Sequence, residues 1–346
     1  MAARKWKWKR SLLFITGGLF VIILIVLARI YSWTYLPSVV PASQDTVVFY
    51  IRTGAGFTEV IGDLKAKGWL RYPKGFEWVA ARKNYPVQVK PGRYELHRGM
   101  SNSELVDLLR SGHQTEVKLI FHTTRSLEHL AGVIGRQLEP DSLAMLTIFR
   151  DSQLYSSFGF APENHLALFI PNTYHFFWNT SPKAFMKRMY REYENFWKGK
   201  RDQQAAAIGL SRFEVMTLAS IVQEETSKTD EMPVIAGVYM NRLHRGIRLQ
   251  ADPTVIYALG GPKIKRVLHR HLKVQSLYNT YRHKGLPPGP IRIPSITAID
   301  ACLHYAHHNY LYFCARDDFS GYHIFASRYA EHLRNARKYR RALDQQ

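Results

Sequence analysis

The segment LASIVQEETSKTDEMPVIAGVYMNRL, residues 218–243, sets Glu224 and Glu225 side by side in a chain with 27 acidic residues against 48 Lys and Arg. A carboxyl among apolar neighbours is costly to ionise, holds its proton towards neutral pH, and can then act as a general acid. Helix geometry decides which glutamate has such neighbours. Ser211 followed three residues later by Glu214, just before an apolar run, has the form of a capping box and predicts a helix over 212–228. At about 100° per residue, Glu225 extends the stripe of Leu218, Ile221 and Val222. Glu224 falls in line with Thr217, Ser220 and Lys228, where an acid-first i,i+4 pair with Lys228 contributes about 0.3–0.5 kcal/mol. That exposed pair accounts for Glu224; nothing so ordinary accounts for Glu225. The competing reading makes Glu225 a paired core charge turned to a buried arginine such as Arg242 or Arg248.

The residues that follow supply uncharged donors of the kind that sugar hydroxyls and acetamido groups need. VIAGVYMNRLHRGIRLQADPTVIYALGG (234–261) predicts an apolar helix ending near Gly246, a polar loop, and another helix opened after Pro253. Asn241, Gln250, Thr254 and Tyr257 are the candidate substrate contacts, each with the plain alternative of a cap or core hydrogen bond. Asp252 is either a second acid or, its more ordinary role, a cap ahead of Pro253. His304, His307 and His308 in HYAHH have spacings a metal could use, but the motif holds no carboxylate, and neither metal nor cofactor is expected. Cys302 and Cys314 are the only cysteines, which excludes a disulfide framework and a thiolate zinc cluster and leaves one bridge or two buried thiols.

The 46% of hydrophobic residues suffices for packed cores over a length that allows about two domains. TVVFYIRTGAGFTEVIGDLKAKG, GRYELHRGMSNSELVDLLRSG and EVKLIFHTTRSLEHLAGVIGRQL each read as a strand leading into a helix opened by Ser or Thr near a glutamate. Gly68 and Gly112 stop the first two. These units define a small α+β module over 45–138, with no convergent reactive group. A connecting segment over 139–165 leads to a mainly helical domain, 166–346, in which YLYFCARDDFSGYHIFAS reads as a β-hairpin. The fold class is therefore α+β.

Residues 1–10 are basic and residues 11–28 carry no charge, the pattern of a retained transmembrane helix over 11–31 followed by a linker over 32–44. Arg29 is placed to snorkel, and Tyr31, Trp33 and Tyr35 form an interfacial group. The positive-inside rule puts the first ten residues in the cytoplasm and the body outside it. The net charge of +21, including KIKRVLHRHLK and RNARKYRRAL, suits nucleic acid, anionic lipid or an acidic polymer. With the body facing away from the genome, nucleic acid is set aside in favour of membrane lipid or peptidoglycan.

Residues 218–261 resemble the signature of the YceG-like, or MltG, family of endolytic murein transglycosylases. The family's LASIVEKET is here LASIVQEET, and its NRL…MRLQTDPTVIYG is here NRLHRGIRLQADPTVIYA. FIPNTYHF (169–176), GLPPGPI (285–291), YLYFCA and HIFAS also match, in order, and add Tyr174 to the candidate contacts. The resemblance covers nearly the whole chain and implies a lysin-motif-like module over 45–138 and a lysozyme-like catalytic domain. It also implies cleavage of the MurNAc–GlcNAc β-1,4 bond of glycan strands to 1,6-anhydro ends, at the cytoplasmic membrane and beside a penicillin-binding protein. Gln223 stands where the family has its first glutamate, so the second, Glu225, is implied as the catalytic acid. Ala251 for Thr, Ala258 for Gly and IRIPS for IANPG alter the expected groove. Two other readings stay open: a hydrolytic muramidase with Asp252 positioning water, and a non-catalytic wall-binding scaffold of the elongation machinery.

Overall fold

A computed structural model describes residues 2–41, 44–261, 264 and 267–345, with side chains from residue 13 onward. Pro262, Lys263, Lys265 and Arg266 of the basic run, and the side chains of the basic start, lie outside the described residues. The chain divides into two compact units, one of residues 1–118 and 175–180, the other of residues 119–174 and 181–346.

In the first unit, α1 (Ala2–Tyr35) carries the apolar span, Leu13–Tyr35, with a mean hydropathy of 2.6. Its length meets the requirement for crossing a bilayer, and its side chains over 13–29 are exposed, as a lipid-facing helix demands. The helix outlasts the expected span, and the expected linker is not free. Thr34, Ser38 and Val39 are buried, and Pro37 and Val39 make β-bridges to Ser101 and Leu70. The reason is packing: Trp33 lies against Gly75, which has no Cβ to obstruct it, and its carbonyl accepts from Asn102 Nδ2 at 2.8 Å.

Next come β1 (Thr46–Ile51), α2 (Phe57–Ala66), α3 (Pro73–Arg82), β2 (Gly92–His97) and α4 (Asn102–Ser111). β1 and β2 are antiparallel, Thr46 opposite His97 and Ile51 opposite Gly92. One face of the pair and the three helices enclose Phe49, Leu64, Phe76, Tyr94 and Leu105, each burial contributing about 1.5–3 kcal/mol. Ser101 and Glu104 form a capping box at α4, and Gly112 ends it in the left-handed conformation, as expected. Thr58 does not cap α2; Gly56 holds that position without a side-chain bond.

The chain passes between units within β3 (Val117–Phe121) and β4 (Asn172–Phe176). α5 (Leu127–Gly135), capped by Ser126, was expected to close the α+β module but belongs to the second unit. Its apolar face packs on α6 (Ser142–Phe149), which packs on α8 (Pro182–Trp197), and Phe121 stacks on Tyr174 at 5.6 Å. α7 (Ser152–Ser157) and a 3-10 turn over 162–168 intervene.

α9 (Lys200–Ala207), α10 (Arg212–Glu225), α11 (Met232–His244), α12 (Asp252–Ala258) and α13 (Ile296–Leu303) complete the helical body. α10 is its axis: Val215, Met216, Leu218, Ala219, Ile221 and Val222 are all buried, and it packs on α11, α12 and α13. The predicted capping box at Ser211 and Glu214 is present. The predicted hairpin is β5 (Tyr312–Ala315) against β6 (His323–Ala326), followed by α14 (Tyr329–Leu343). Cys302 is buried and Cys314 half-buried, both as free thiols.

Candidate active site

α10 ends at Glu225, three residues earlier than expected, with Thr226 already extended. Both adjacent glutamates therefore stand on the last turn, where chain direction changes and other segments can reach them. Glu224 is not an exposed partner of Lys228. Its side chain is only 12% exposed and takes Arg125 Nε at 2.7 Å and Arg292 Nη1 at 2.6 Å. Lys228 instead lies over the Tyr322 ring, 4.7 Å from its centroid. Burial raises the Glu224 carboxyl, but the two guanidiniums outweigh it and hold it below the usual range.

Glu225 is half-buried, and its Oε1 accepts from the Tyr239 hydroxyl of α11 at 2.6 Å. Burial pushes its pKa up to about 7; the Tyr239 hydrogen bond opposes the rise, Asp252 and Glu224 add to it, and Arg242 opposes it. Two neighbouring carboxyls are thus driven apart, one held ionised and the other kept protonated near neutrality, which is how acid and anion roles are separated within one site. Helix spacing predicts Glu225 as the desolvated carboxyl of the two, and burial does raise it. Spacing missed Tyr239, which reads as one more apolar position of a helix, and the arginines, which come from segments 99 and 68 residues distant in sequence.

The expected alternative partner, Arg242, is buried but serves backbone: Nε donates to Leu311 O at 2.6 Å and Nη1 to Leu249 O at 2.7 Å. It fastens α11 to the loop carrying Gln250, whose φ of 52° is in the left-handed region and whose Oε1 accepts from Arg242 Nη1 at 3.4 Å. Asp252 is exposed and is not the cap of α12, a position taken by Ala251; its carboxylate accepts from Tyr281 OH at 2.6 Å. Thr254 is fully buried and donates to Ala251 O at 2.7 Å, while Asn241 Nδ2 donates to the carbonyls of His308 and Tyr310. Both hold backbone rather than present free donors. Tyr174 is 6% exposed and donates to Ile170 O at 2.6 Å.

Beside Glu224 lies a cleft of about 1280 Å³, wholly within the second unit. Tyr257 and Tyr278 line it, with ring centroids 4.7 Å apart, together with Arg125, Glu163, Glu224 and Arg292. Of the sequence candidates, only Tyr257 is in this wall. Glu225 and Asp252 are not among its lining residues, although Glu224 and Pro253, next to them in sequence, are. The volume exceeds that of pockets for drug-sized ligands.

Three contacts of the 285–293 backbone fix the cleft. Gly289 sits against the carbonyl of Glu163 with no space for a side chain, bringing the 285–291 loop onto the 162–168 turn. Ser220 Oγ, inside α10, accepts from Ile291 N at 3.0 Å, and Ile293 N donates to Thr124 O at 2.8 Å. Among the described residues no group of three His, Cys, Asp or Glu is placed to hold a metal. His308 Nε2 lies 2.9 Å from Val234 O, and His304 meets Gln204.

The fold and the paired carboxyls define a mixed α+β protein with one apolar N-terminal helix and an acid-bearing cleft. The model of the YceG-like family matches residues 49–338, and the chain belongs to that family. It is 28% identical over 331 residues to an endolytic murein transglycosylase of Bacillus subtilis, spanning 90% of both chains. To the protein of the same name in Streptococcus pneumoniae it is 27% identical, covering 85% of this chain and 58% of that protein. A crystal structure of a YceG-like protein from Listeria monocytogenes superposes with a TM-score of 0.56 at 26% identity, covering 84% of this chain and 99% of the other.

Proposed function

We propose that this chain is a membrane-anchored lytic transglycosylase that cuts murein glycan strands internally, with Glu225 as its catalytic acid. The observation that carries the reading is the divergence of the two adjacent carboxyls: Glu224 is held ionised by Arg125 and Arg292, while Glu225 is pushed up to about 7. The relatives named as murein transglycosylases support the substrate class. In the reaction Glu225 gives its proton to the oxygen leaving MurNAc C1, and the C1–O bond breaks. The substrate's acetamido group stabilises the developing oxocarbenium charge. The Glu225 carboxylate then takes the C6 hydroxyl proton as O6 bonds to C1, so water is not consumed and a 1,6-anhydro end results. A single carboxyl acting twice replaces the usual glycosidase pair.

Digestion of purified sacculi with the full chain tests this. Products ending in 1,6-anhydro-MurNAc are expected from the parent and none from Glu225→Gln. Reducing ends carrying an added water would instead establish hydrolysis, the reaction in which exposed Asp252 would position water. The same reading assigns the 45–118 portion as a lysin-motif-like wall-binding module and α10 with its surroundings as a lysozyme-like catalytic core. The N-terminus lies in the cytoplasm and the body on the outer side of the inner membrane, where a penicillin-binding protein supplies fresh strands. Sacculus pull-down by a catalytically dead chain, and cross-linking in cells, test those assignments.

A further inference from the structure

Arg125, on the segment entering α5, and Arg292, on the loop after Gly289, converge on the single carboxylate of Glu224 at the cleft wall. A guanidinium has five N–H donors. Among the described residues, Arg125 uses Nε and Nη2 on Glu224, and Arg292 uses Nη1 on Glu224 and Nε on Thr123 Oγ1 at 2.9 Å. Each therefore keeps donors in reserve. Arg292 is 14% exposed and immobilised, whereas the Arg125 side chain is 53% exposed. As a trio Arg125, Arg292 and Glu224 carry one net positive charge, which the carboxylate of Glu163 in the same wall balances formally without an ion pair to it among the described residues. Of the other acids in the wall, Glu128 is engaged by Arg150 at 2.8 Å, and Glu163, from the 162–168 turn, has no ion pair among the described residues. Guanidiniums pre-oriented in this way are the usual receptors for carboxylates, which they bind through paired hydrogen bonds.

We propose that Arg125 and Arg292, oriented by Glu224, form a subsite for a carboxylate carried by the glycan strand in the cleft. This rests on the murein reading above. Two sources offer that chemistry on murein: a peptide stem, and the free lactyl group of a strand stripped of stems. Glu224 is then a positioning residue, fixing the guanidiniums without touching the sugar, and Arg125 is the contact that confers preference.

The test measures affinity rather than turnover, using the full chain in detergent with Glu225→Gln to prevent cleavage. Three soluble strand preparations are titrated: stem-bearing, stem-stripped, and either one after conversion of its carboxylates to amides. The charged strand is expected to bind about tenfold more tightly than its amidated form, a preference lost in Arg125→Gln and partly kept in Arg125→Lys. The tighter of the two charged strands identifies the source of the carboxylate. Equal affinity for charged and amidated strands, or a preference that survives Arg125→Gln, overturns the subsite. Anhydro-product formation by the parent chain is scored separately, so loss of the preference alone sinks this inference, and loss of product formation sinks the reading it rests on. Arg292→Gln supplies the second variant, expected to abolish the preference even where its melting temperature falls.

Discussion

At the scale of single residues, the paired glutamates make different predictions. Glu225→Gln removes the proton donor while keeping an acceptor for the Tyr239 hydroxyl, so kcat is expected to fall by about 10²–10⁴-fold. Activity of the parent requires the protonated form and is expected to fall as pH rises through about 7. Tyr239→Phe removes a hydrogen bond that favours the Glu225 carboxylate, so the alkaline limb should move to higher pH; a limb that stays or moves down contradicts the assignment. Stability follows with the opposite sign from a normal acid. The folded chain binds a proton at Glu225 that the unfolded chain has released between about 4.5 and 7, so stability declines as pH rises across that window. Calorimetry is therefore expected to show Glu225→Gln gaining on the parent by on the order of 1–2 kcal/mol at pH 8, allowing for partial exposure, and little at pH 4. Spacing along one helix made Glu225 legible in the sequence. It could not reveal Arg125 and Arg292, because their approach to Glu224 depends on loops whose course no local pattern encodes. Thr254 and Asn241 show the converse: donors of the right type, placed in the right motif, that the fold spends on backbone carbonyls.

At the scale of elements, α10 was readable at its start and misread at its end. Ser211 and Glu214 announce the N-terminus in four residues, whereas the stop at Glu225 arises from Thr226, whose hydroxyl accepts from Lys228 N at 3.0 Å and turns the chain away. Ser211→Ala is expected to lower stability by about 1 kcal/mol in denaturant melts, with the pH profile unchanged, since the cap lies at the far end of the helix from the acid. α11 is held closer to its neighbours than its sequence discloses. A Cβ on Gly237 would collide with the Ala306 carbonyl and stand 2.7 Å from His308 Nε2. Gly237→Ala should therefore cost about 1–3 kcal/mol despite the better helix propensity of alanine. An unchanged melt would show that the His304–Tyr310 segment gives way freely. The hairpin, the caps at Ser101, Ser126 and Ser211 and the apolar stripe of α10 were visible from periodicity and turn residues, whereas Thr58 and Asp252, of cap-forming type, cap nothing. The membership of α5 was not visible, because the strand-then-helix pattern of 116–138 repeats that of the two preceding units and only packing separates them.

At the scale of the whole molecule, the +21 charge narrowed the partners without choosing one, and the choice came from the family match and from the apolar span. The extent of that span shows where sequence reading stopped short. Hydropathy marks where a helix is greasy enough to cross, but says nothing of where it ceases to be free. Removing residues 1–28 is expected to leave the first unit's melting temperature unaltered. Removing residues 1–36 strips Trp33 from Gly75 and Asn102, takes away buried Thr34, and should lower its stability by about 1–3 kcal/mol, measured by thermal unfolding of the two truncated chains side by side. The packing of Trp33 and Thr34 has a mechanical consequence. A span whose end is fastened to a folded body leaves no slack, so the first unit cannot drift on a leash away from that helix. Where the helix is held in a bilayer, the unit is held at its surface.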